Sequence, residues 1–191
     1  MNYLGHLILS GDDDQVLFGN FIADAIKGNS YLDWPDKIQK GILLHRFIDE
    51  FTDNNISYLK GKRRFYKDYP KIGGVINDIV YDFLIWQYYI DNNILELNKE
   101  ISRFYKTLDK YRDDMPEKIK FMYMYMKRDN WLLNYKYDWG VKKALKGIGK
   151  RINYSNNLDQ SFNIVNDNLE AFKTEFDLFY SEIRVKVSSF M

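Results

Sequence analysis

The residues best suited to chemistry lie in one apolar stretch, residues 41–53. His45, Asp49 and Asp53 follow one another at intervals of four, which places them along one side of a helix. The apolar residues around them recur at the three- and four-residue steps of a core-facing helix: Ile42, Leu43, Phe47, Ile48 and Phe51. An imidazole and two carboxylates on such a helix are costly to bury without partners. These three residues therefore either form hydrogen bonds with other polar groups of the protein or contribute to a cation site. Their spacing alone leaves both interpretations open.

The geometry of a helix limits how many of these side chains one ion can contact. Between His45 and Asp53 an α-helix rises by about 12 Å, so a single ion cannot bind all three. Two neighbouring members could share an ion, and the third would then support them or contact a substrate.

Further carboxylates lie in two other apolar segments. Asp78 and Asp82 are four residues apart in a very apolar run, where two like charges repel unless one is protonated or a cation lies between them. Asp24 lies within an earlier predicted helix and becomes a third candidate beside these pairs. Polar packing without a metal is the alternative for each of them. With the second histidine, the candidates are His6, Asp24, His45, Asp49, Asp53, Asp78 and Asp82.

This set of ligands indicates a particular class of metal and substrate. Carboxylates with one imidazole favour Mg²⁺ or Mn²⁺ over Zn²⁺. Such an ion commonly acts on phosphate esters, because it polarises a phosphoryl oxygen and activates water. Nearby basic residues could hold the phosphate oxygens, although each alone is typical of a solvated surface charge: Lys27, Arg46, Arg63, Arg64, Lys150 and Arg151.

Helical periodicity extends through most of the chain, and no hairpin or alternating pattern interrupts it. Residues 1–10 form a short apolar segment, either helical or extended. The predicted helices cover about 14–27, 35–53, 56–66, 74–89, 94–110, 116–131, 139–147 and 158–183. Capping residues at 12–14 and prolines at 35, 70 and 116 mark several of the starts. The sequence predicts an all-α fold, a helical bundle in a single domain over residues 1–191.

Composition excludes several classes of protein. The net charge of +1 gives no general attraction to nucleic acid or to an anionic membrane. The chain has no cysteine, which excludes disulfides and thiol chemistry. Its first residues lack the basic region of a secretory signal, and no apolar run is long enough for a bilayer. We therefore expect a cytoplasmic protein that binds neither nucleic acid nor membrane, with an oligomeric state that the sequence does not predict.

Four stretches carry a resemblance to a known family. They are Met1–His6, Gly19–Asp24 with Lys27–Gly28, Gly41–Asp53, and Gly74–Asp78 with Tyr81–Asp82. A weaker fifth consists of Asn130–Leu132 with Gly140, Leu145, Gly147 and Lys150–Arg151. In order and spacing, the sequence resembles the acyl carrier protein phosphodiesterases over nearly the whole chain.

The resemblance implies an all-helical fold distantly like the HD-domain phosphohydrolases. It also implies Mn²⁺- or Mg²⁺-dependent hydrolysis of the bond between 4′-phosphopantetheine and a serine of acyl carrier protein. The metal ligands that it implies are Asp24, His45, Asp49, Asp78 and Asp82, with His45, Asp49 and Asp82 as the catalytic residues. The supporting residues are His6 and Asp53, and those expected to contact the substrate phosphate are Lys27, Arg46 and Arg151.

Two positions depart from the family's usual pattern. Phe83 stands where a histidine usually follows the second aspartate, and Asn54–Ile56 stands where a histidine usually follows Phe51–Asp53. Loss of a general acid or base typically lowers a rate by about 10²–10⁴-fold. The alternatives are a catalytically weakened homologue that binds acyl carrier protein, and a phosphohydrolase for another phosphate ester.

Overall fold

The structure, a computed structural model, describes residues 1–152 and 157–191 as helices and connecting turns, with no strand in either range. The helices are α1 Tyr3–Leu9, α2 Asp14–Ile22, α3 Asp36–Asn54, α4 Ile56–Arg64, α5 Gly73–Asp91, α6 Leu97–Lys110, α7 Glu117–Arg128, α8 Trp131–Asn134, α9 Asp138–Arg151, α10 Phe162–Asp167 and α11 Leu169–Phe190. Short 3-10 segments lie at Ala23–Ala25, Ser30–Asp33, Arg112–Asp114 and Leu158–Ser161. The predicted all-α class is confirmed, whereas the HD-domain likeness stays a prediction.

Local sequence signals account for several helix starts. The Asp13 carboxylate accepts hydrogen bonds from Gln15 N and Val16 N at the start of α2, and Asn55 does the same for α4. Pro35 and Pro116 directly precede α3 and α7. A proline fits there because the first helical N–H groups have no intrahelical partner. These caps and prolines place most boundaries within a few residues of those predicted.

The C-terminal prediction of one helix over residues 158–183 is wrong. The chain instead passes through a 3-10 turn and α10 before Asn168 separates α10 from α11. The Asn168 side chain donates to Ile164 O at 2.9 Å, and its backbone has φ −129° and ψ 23°. Asparagine side chains compete with backbone groups for hydrogen bonds in this way. The spacing of apolar residues, on which the prediction of one helix was based, gives no information about that competition.

Two glycines bring α2 and α3 unusually close together. A Cβ atom added at Gly41 would lie 2.9 Å from Gly19 Cα and closer still to Val16 O. A Cβ added at Gly19 would likewise meet the backbone of Ile38 and Gly41. No side chain larger than hydrogen fits at this crossing, so the two backbones touch.

Helix α5 passes through the interior and supports the other helices. Ile76, Val80 and Ile85 are fully buried on it, and Tyr81 packs edge-on against Phe176 and Phe179 of α11. The buried apolar side chains of the described residues form one contiguous core, as expected for the predicted single domain. Among these residues, no helix combines the length and the apolar character needed to cross a membrane.

The crossing of α2 and α3 predicts opposite effects of one substitution at two glycines. Gly41→Ala should lower the free energy of unfolding by about 2–3 kcal/mol, because its methyl group overlaps the backbone of α2. Gly147→Ala should raise that free energy by up to about 1 kcal/mol through helix propensity, since its Cβ would meet nothing within 4 Å. Urea denaturation measures both, and equal effects of the two substitutions would contradict the close crossing.

Candidate metal centre

Two helices bring two imidazoles and a carboxylate together. His6 lies on α1, and His45 and Asp49 lie one turn apart on α3. His6 Nε2 is 3.1 Å from Asp49 Oδ1, and His45 Nε2 is 3.2 Å from Asp49 Oδ2. The two rings stack with their centroids 4.1 Å apart. One ligand atom from each of the three residues lies within 4.8 Å of the others, so together they can hold a metal ion.

Asn20 on α2 determines which nitrogen of each ring faces this centre. Its Oδ1 lies 3.0 Å from both His6 Nδ1 and His45 Nδ1, and Asn20 O lies 2.9 Å from His45 Nδ1. Its Nδ2 donates to His6 O and Ser10 Oγ, which fixes the orientation of the amide. An oxygen acceptor at Nδ1 requires a proton there, so Nε2 is the nitrogen through which each ring would bind a cation.

Asp24 adds a second carboxylate beside His45. It lies in the 3-10 turn after α2, and its Oδ1 is 3.3 Å from His45 Nε2. Of the predicted metal ligands, the structure thus brings Asp24, His45 and Asp49 together. His6, predicted as a supporting residue, instead lies directly among the candidate ligands.

Burial and the neighbouring charges give the two histidines opposite protonation. Burial lowers the pKa of His6 to about 4, and the charge of His45 acts in the same direction. Burial alone would also lower the pKa of His45, but hydrogen bonds with Asp24 and Asp49 outweigh it and raise that pKa to about 9. The pKa of Asp49 falls because the hydrogen bonds from His45 and His6 overcome the effect of burial. At neutral pH the centre without a metal therefore carries one positive imidazolium facing ionised carboxylates, in a place that suits a cation.

Asp82 and Asp78 were predicted to be metal ligands, but both accept hydrogen bonds from groups at the beginning of the chain. The fully buried Asp82 accepts hydrogen bonds from Leu4 N at 2.9 Å and Gly5 N at 3.1 Å. Burial raises the pKa of Asp82 to about 7, although these backbone bonds oppose the rise. Asp78 Oδ1 accepts bonds of 2.7 Å from the Met1 ammonium and from Tyr58 Oη. Asp82 thus holds the first turn of α1, the helix that carries His6, because the first N–H groups of a helix have no internal partner, and Asp78 holds Met1 just before that helix.

The centre opens into a cleft of about 260 Å³, which we call the metal cleft. Its lining includes Asp24, Asp49, Asp53 and Asp78 together with Thr52. The Thr52 hydroxyl is buried and has no hydrogen-bond partner among the described residues. A buried group of this kind is costly to leave unpaired, so this hydroxyl is available to a bound ligand.

The basic residues expected to contact phosphate are dispersed. Arg46 Nη2 donates to Ile26 O and Gly28 O, so it fastens the loop after α2 and does not line the metal cleft. Lys27 is exposed and also lies outside the cleft lining. Arg151 lines a second cavity that adjoins the metal cleft, and it is the one of the three that lines either cavity.

The two departures from the family pattern also lie away from the metal cleft. Phe83 packs at 5.2 Å, edge to face, on Phe162 in the core. Asn55 caps α4 through Ser57 N and Tyr58 N and donates to Glu182. Neither is among the residues that line the metal cleft, so neither departure removes a group from it.

Asn20 and Thr52 were not predicted to be functional from the sequence. Each carries no charge, although Thr52, like Asn20, lies in one of the stretches that resemble the family. Asn20 could have been found, because it follows Gly19 in one of the stretches that resemble the family. An uncharged amide next to a glycine is only a weak indication of a functional residue. The role of Asn20 becomes clear once its contacts with His6 and His45 are known.

Comparison with known proteins gives one consistent result. A family model described as acyl carrier protein phosphodiesterase matches residues 1–183. A protein of that name from Klebsiella pneumoniae subsp. pneumoniae is 26% identical over 184 residues, covering 96% of this chain and 95% of the relative. A protein of the same name from Photorhabdus laumondii subsp. laumondii is 26% identical over 192 residues, covering 99% of this chain and 96% of the relative. No solved structure matches the chain.

The role of Asn20 predicts a loss of metal affinity when its amide is removed. Asn20→Leu should weaken Mn²⁺ binding by about 10–100-fold, because both imidazoles lose the acceptor that orients them. The exposed Asn92, whose side chain donates only to Tyr88 O, provides a matched control in Asn92→Leu. Calorimetric titration measures the affinity, and circular dichroism checks the fold. Unchanged Mn²⁺ affinity in folded Asn20→Leu would count against this role.

Proposed function

Because the chain belongs to the acyl carrier protein phosphodiesterase family, we propose that it hydrolyses holo acyl carrier protein. Water adds to phosphorus, and the bond from phosphorus to the serine oxygen breaks, giving the apo carrier and free 4′-phosphopantetheine. The observation that carries this proposal is the convergence of His6, His45 and Asp49 at an open cleft. Such a centre is suited to a phosphate ester, and the named relatives match the chain over nearly its full length.

We infer that a divalent cation is held by His6 Nε2, His45 Nε2 and the Asp49 carboxylate, with Asp24 beside them. The fit rests on the direction of both Nε2 atoms, which Asn20 sets from the other side of each ring, and on the ionised carboxylates; a bound cation would take the place of the proton on His45 Nε2. Two imidazoles favour Mn²⁺ over Mg²⁺, which prefers oxygen ligands. When bound, the ion supplies positive charge that stabilises the negative charge developing on the phosphoryl oxygens.

The remaining residues of the metal cleft have distinct roles in this proposal. The unpartnered Thr52 hydroxyl donates to a phosphoryl oxygen, and Arg151 supplies positive charge from the adjoining cavity. Asp24 and Asp53 are the cleft carboxylates available to accept a proton from the attacking water. Asp82, which we predicted to be catalytic, becomes a positioning residue, because it holds α1 and through it His6.

The proposal predicts a change in mass of the carrier. Purified protein with Mn²⁺ should convert holo acyl carrier protein to the apo form, as seen by mass spectrometry. His45→Ala should slow this conversion by about 10²–10⁴-fold, the loss typical of a positioned catalytic group. Asp91→Ala should match the wild type, since Asp91 forms only a surface ion pair with Lys173.

No conversion at high enzyme concentration would refute the carrier as substrate. A panel of nucleotides and other phosphodiesters, assayed with the same metal, would then identify a different ester. Carrier binding without conversion would instead favour the weakened homologue.

The position of Phe83 predicts that restoring the family histidine brings no benefit. Phe83→His should leave the rate of carrier hydrolysis unchanged, because residue 83 contacts Phe162 and not the metal cleft. It should lower the free energy of unfolding by about 1–3 kcal/mol, since the imidazole is buried without a partner. Kinetics and urea denaturation measure the two effects. A large gain in turnover would show that the chain is a weakened enzyme.

A further inference from the structure

A second cavity of about 460 Å³ adjoins the metal cleft. We call it the α9 groove, because residues of α9 form one of its walls. It shares Asn2, Tyr3, Asp24 and Asp78 with the metal cleft, so the two spaces lie side by side. Its volume falls within the range of about 300–1,000 Å³ that is typical of small-molecule sites.

The α9 groove differs in chemistry from the metal cleft. Its walls are largely apolar, and the apolar residues that line it are Val75, Ile79, Met122, Trp131, Ala144 and Ile148. A few polar groups lie among them, including Tyr135 Oη, which accepts a hydrogen bond from Asn2 Nδ2 at 3.2 Å. Apolar walls with a few placed polar groups suit a flexible ligand that combines methylene groups with amides.

The open space in the groove arises from small residues on one face of α9. Ala144 and Gly147 lie three residues apart on the wall, whereas Gly140, which also lines it, packs against the backbone of Asn134. A Cβ atom added at Gly147 would meet no atom within 4 Å. The packing of the protein therefore does not require a glycine there, and a side chain would extend into open space.

Charged residues of both signs border the groove. Helix α9 carries one acidic residue, Asp138, and five basic ones: Lys142, Lys143, Lys146, Lys150 and Arg151. Lys143 and Arg151 line the groove itself. Asp24, Asp78 and Asp129 line it as well, and Lys143 Nζ lies 3.8 Å from Asp129 Oδ2, so the lining of the groove carries no excess of positive charge.

From these observations we propose that the α9 groove binds the pantetheine arm of the substrate while the phosphate lies in the metal cleft. This inference rests on the proposed function and adds the site that holds the arm. The dimethyl and methylene groups of the arm contact the apolar walls, and its amides reach the polar groups near Asn2 and Tyr135. The groove then discriminates carriers with an arm from short phosphodiesters without one.

The test uses Gly147→Leu to fill the groove and Lys146→Leu as the control. Lys146 is exposed on the same helix and does not line the groove. Calorimetry with free pantetheine, which lacks the phosphate, should show binding to the wild type and to Lys146→Leu. Binding to Gly147→Leu should weaken at least about 10-fold, the change expected when a ligand loses its pocket contacts. The KM for holo carrier should rise in Gly147→Leu, with the affinity for Mn²⁺ unchanged.

A second variant shows whether weaker binding by Gly147→Leu reflects the groove itself or a folding defect of that variant. Val75→Asp places a charge at another lining position that is already 42% exposed, and it should weaken pantetheine binding in the same way. If the wild type hydrolyses holo carrier but Gly147→Leu and Val75→Asp bind pantetheine as well as it does, the groove proposal is overturned while the function stands. If the wild type binds pantetheine in the groove but does not hydrolyse the carrier, the function fails and the groove stands. Absence of pantetheine binding to the wild type overturns the groove proposal.

Discussion

The close crossing of α2 and α3 at Gly19 and Gly41 is the constraint on which the candidate site depends. Asn20 directly follows Gly19, and His45 lies one turn after Gly41. Because the two backbones touch, both the side-chain oxygen and the carbonyl of Asn20 come within 3.0 Å of His45 Nδ1. A wider crossing would separate the amide from the imidazole. The geometry of the ligands is thus set by a contact between two residues that have no side chains.

The other half of the centre depends on α1, a helix of seven residues. A helix this short is marginal without tertiary support. Asp82 supplies that support from α5 by accepting two hydrogen bonds from its first turn, and the half-buried Asp78 accepts one from the Met1 ammonium. These two acids therefore contribute to the site by keeping His6 against His45. Their cost of burial is offset by backbone donors and an ammonium group, which need no metal.

The parts that could be predicted from the sequence are those that depend on local periodicity and spacing. The helices and the pairing of His45 with Asp49 belong to this class, because four-residue spacing puts these two on one face, whereas Asp24 was predicted as a metal ligand from the family resemblance. The same four-residue spacing places Asp78 and Asp82 on one face of α5, but it does not indicate which part of the chain packs against that face. That partner is the start of α1, more than seventy residues away in the chain. Asn20 and the loop contacts of Arg46 depend on tertiary packing in the same way.

The start of α1 also joins the two spaces that a substrate would occupy. Asn2 and Tyr3 line both the metal cleft and the α9 groove, and His6 lies one turn further along. A displacement of this segment would change the candidate ligand His6 and the groove together, because all of these residues lie within the first two turns of the chain. The hydrogen bonds of Asp82 and Asp78 oppose such a displacement. Under the proposed function, binding of an ion and of an elongated ligand would both depend on these contacts, which is how Asp82 matters to a cleft that it does not line.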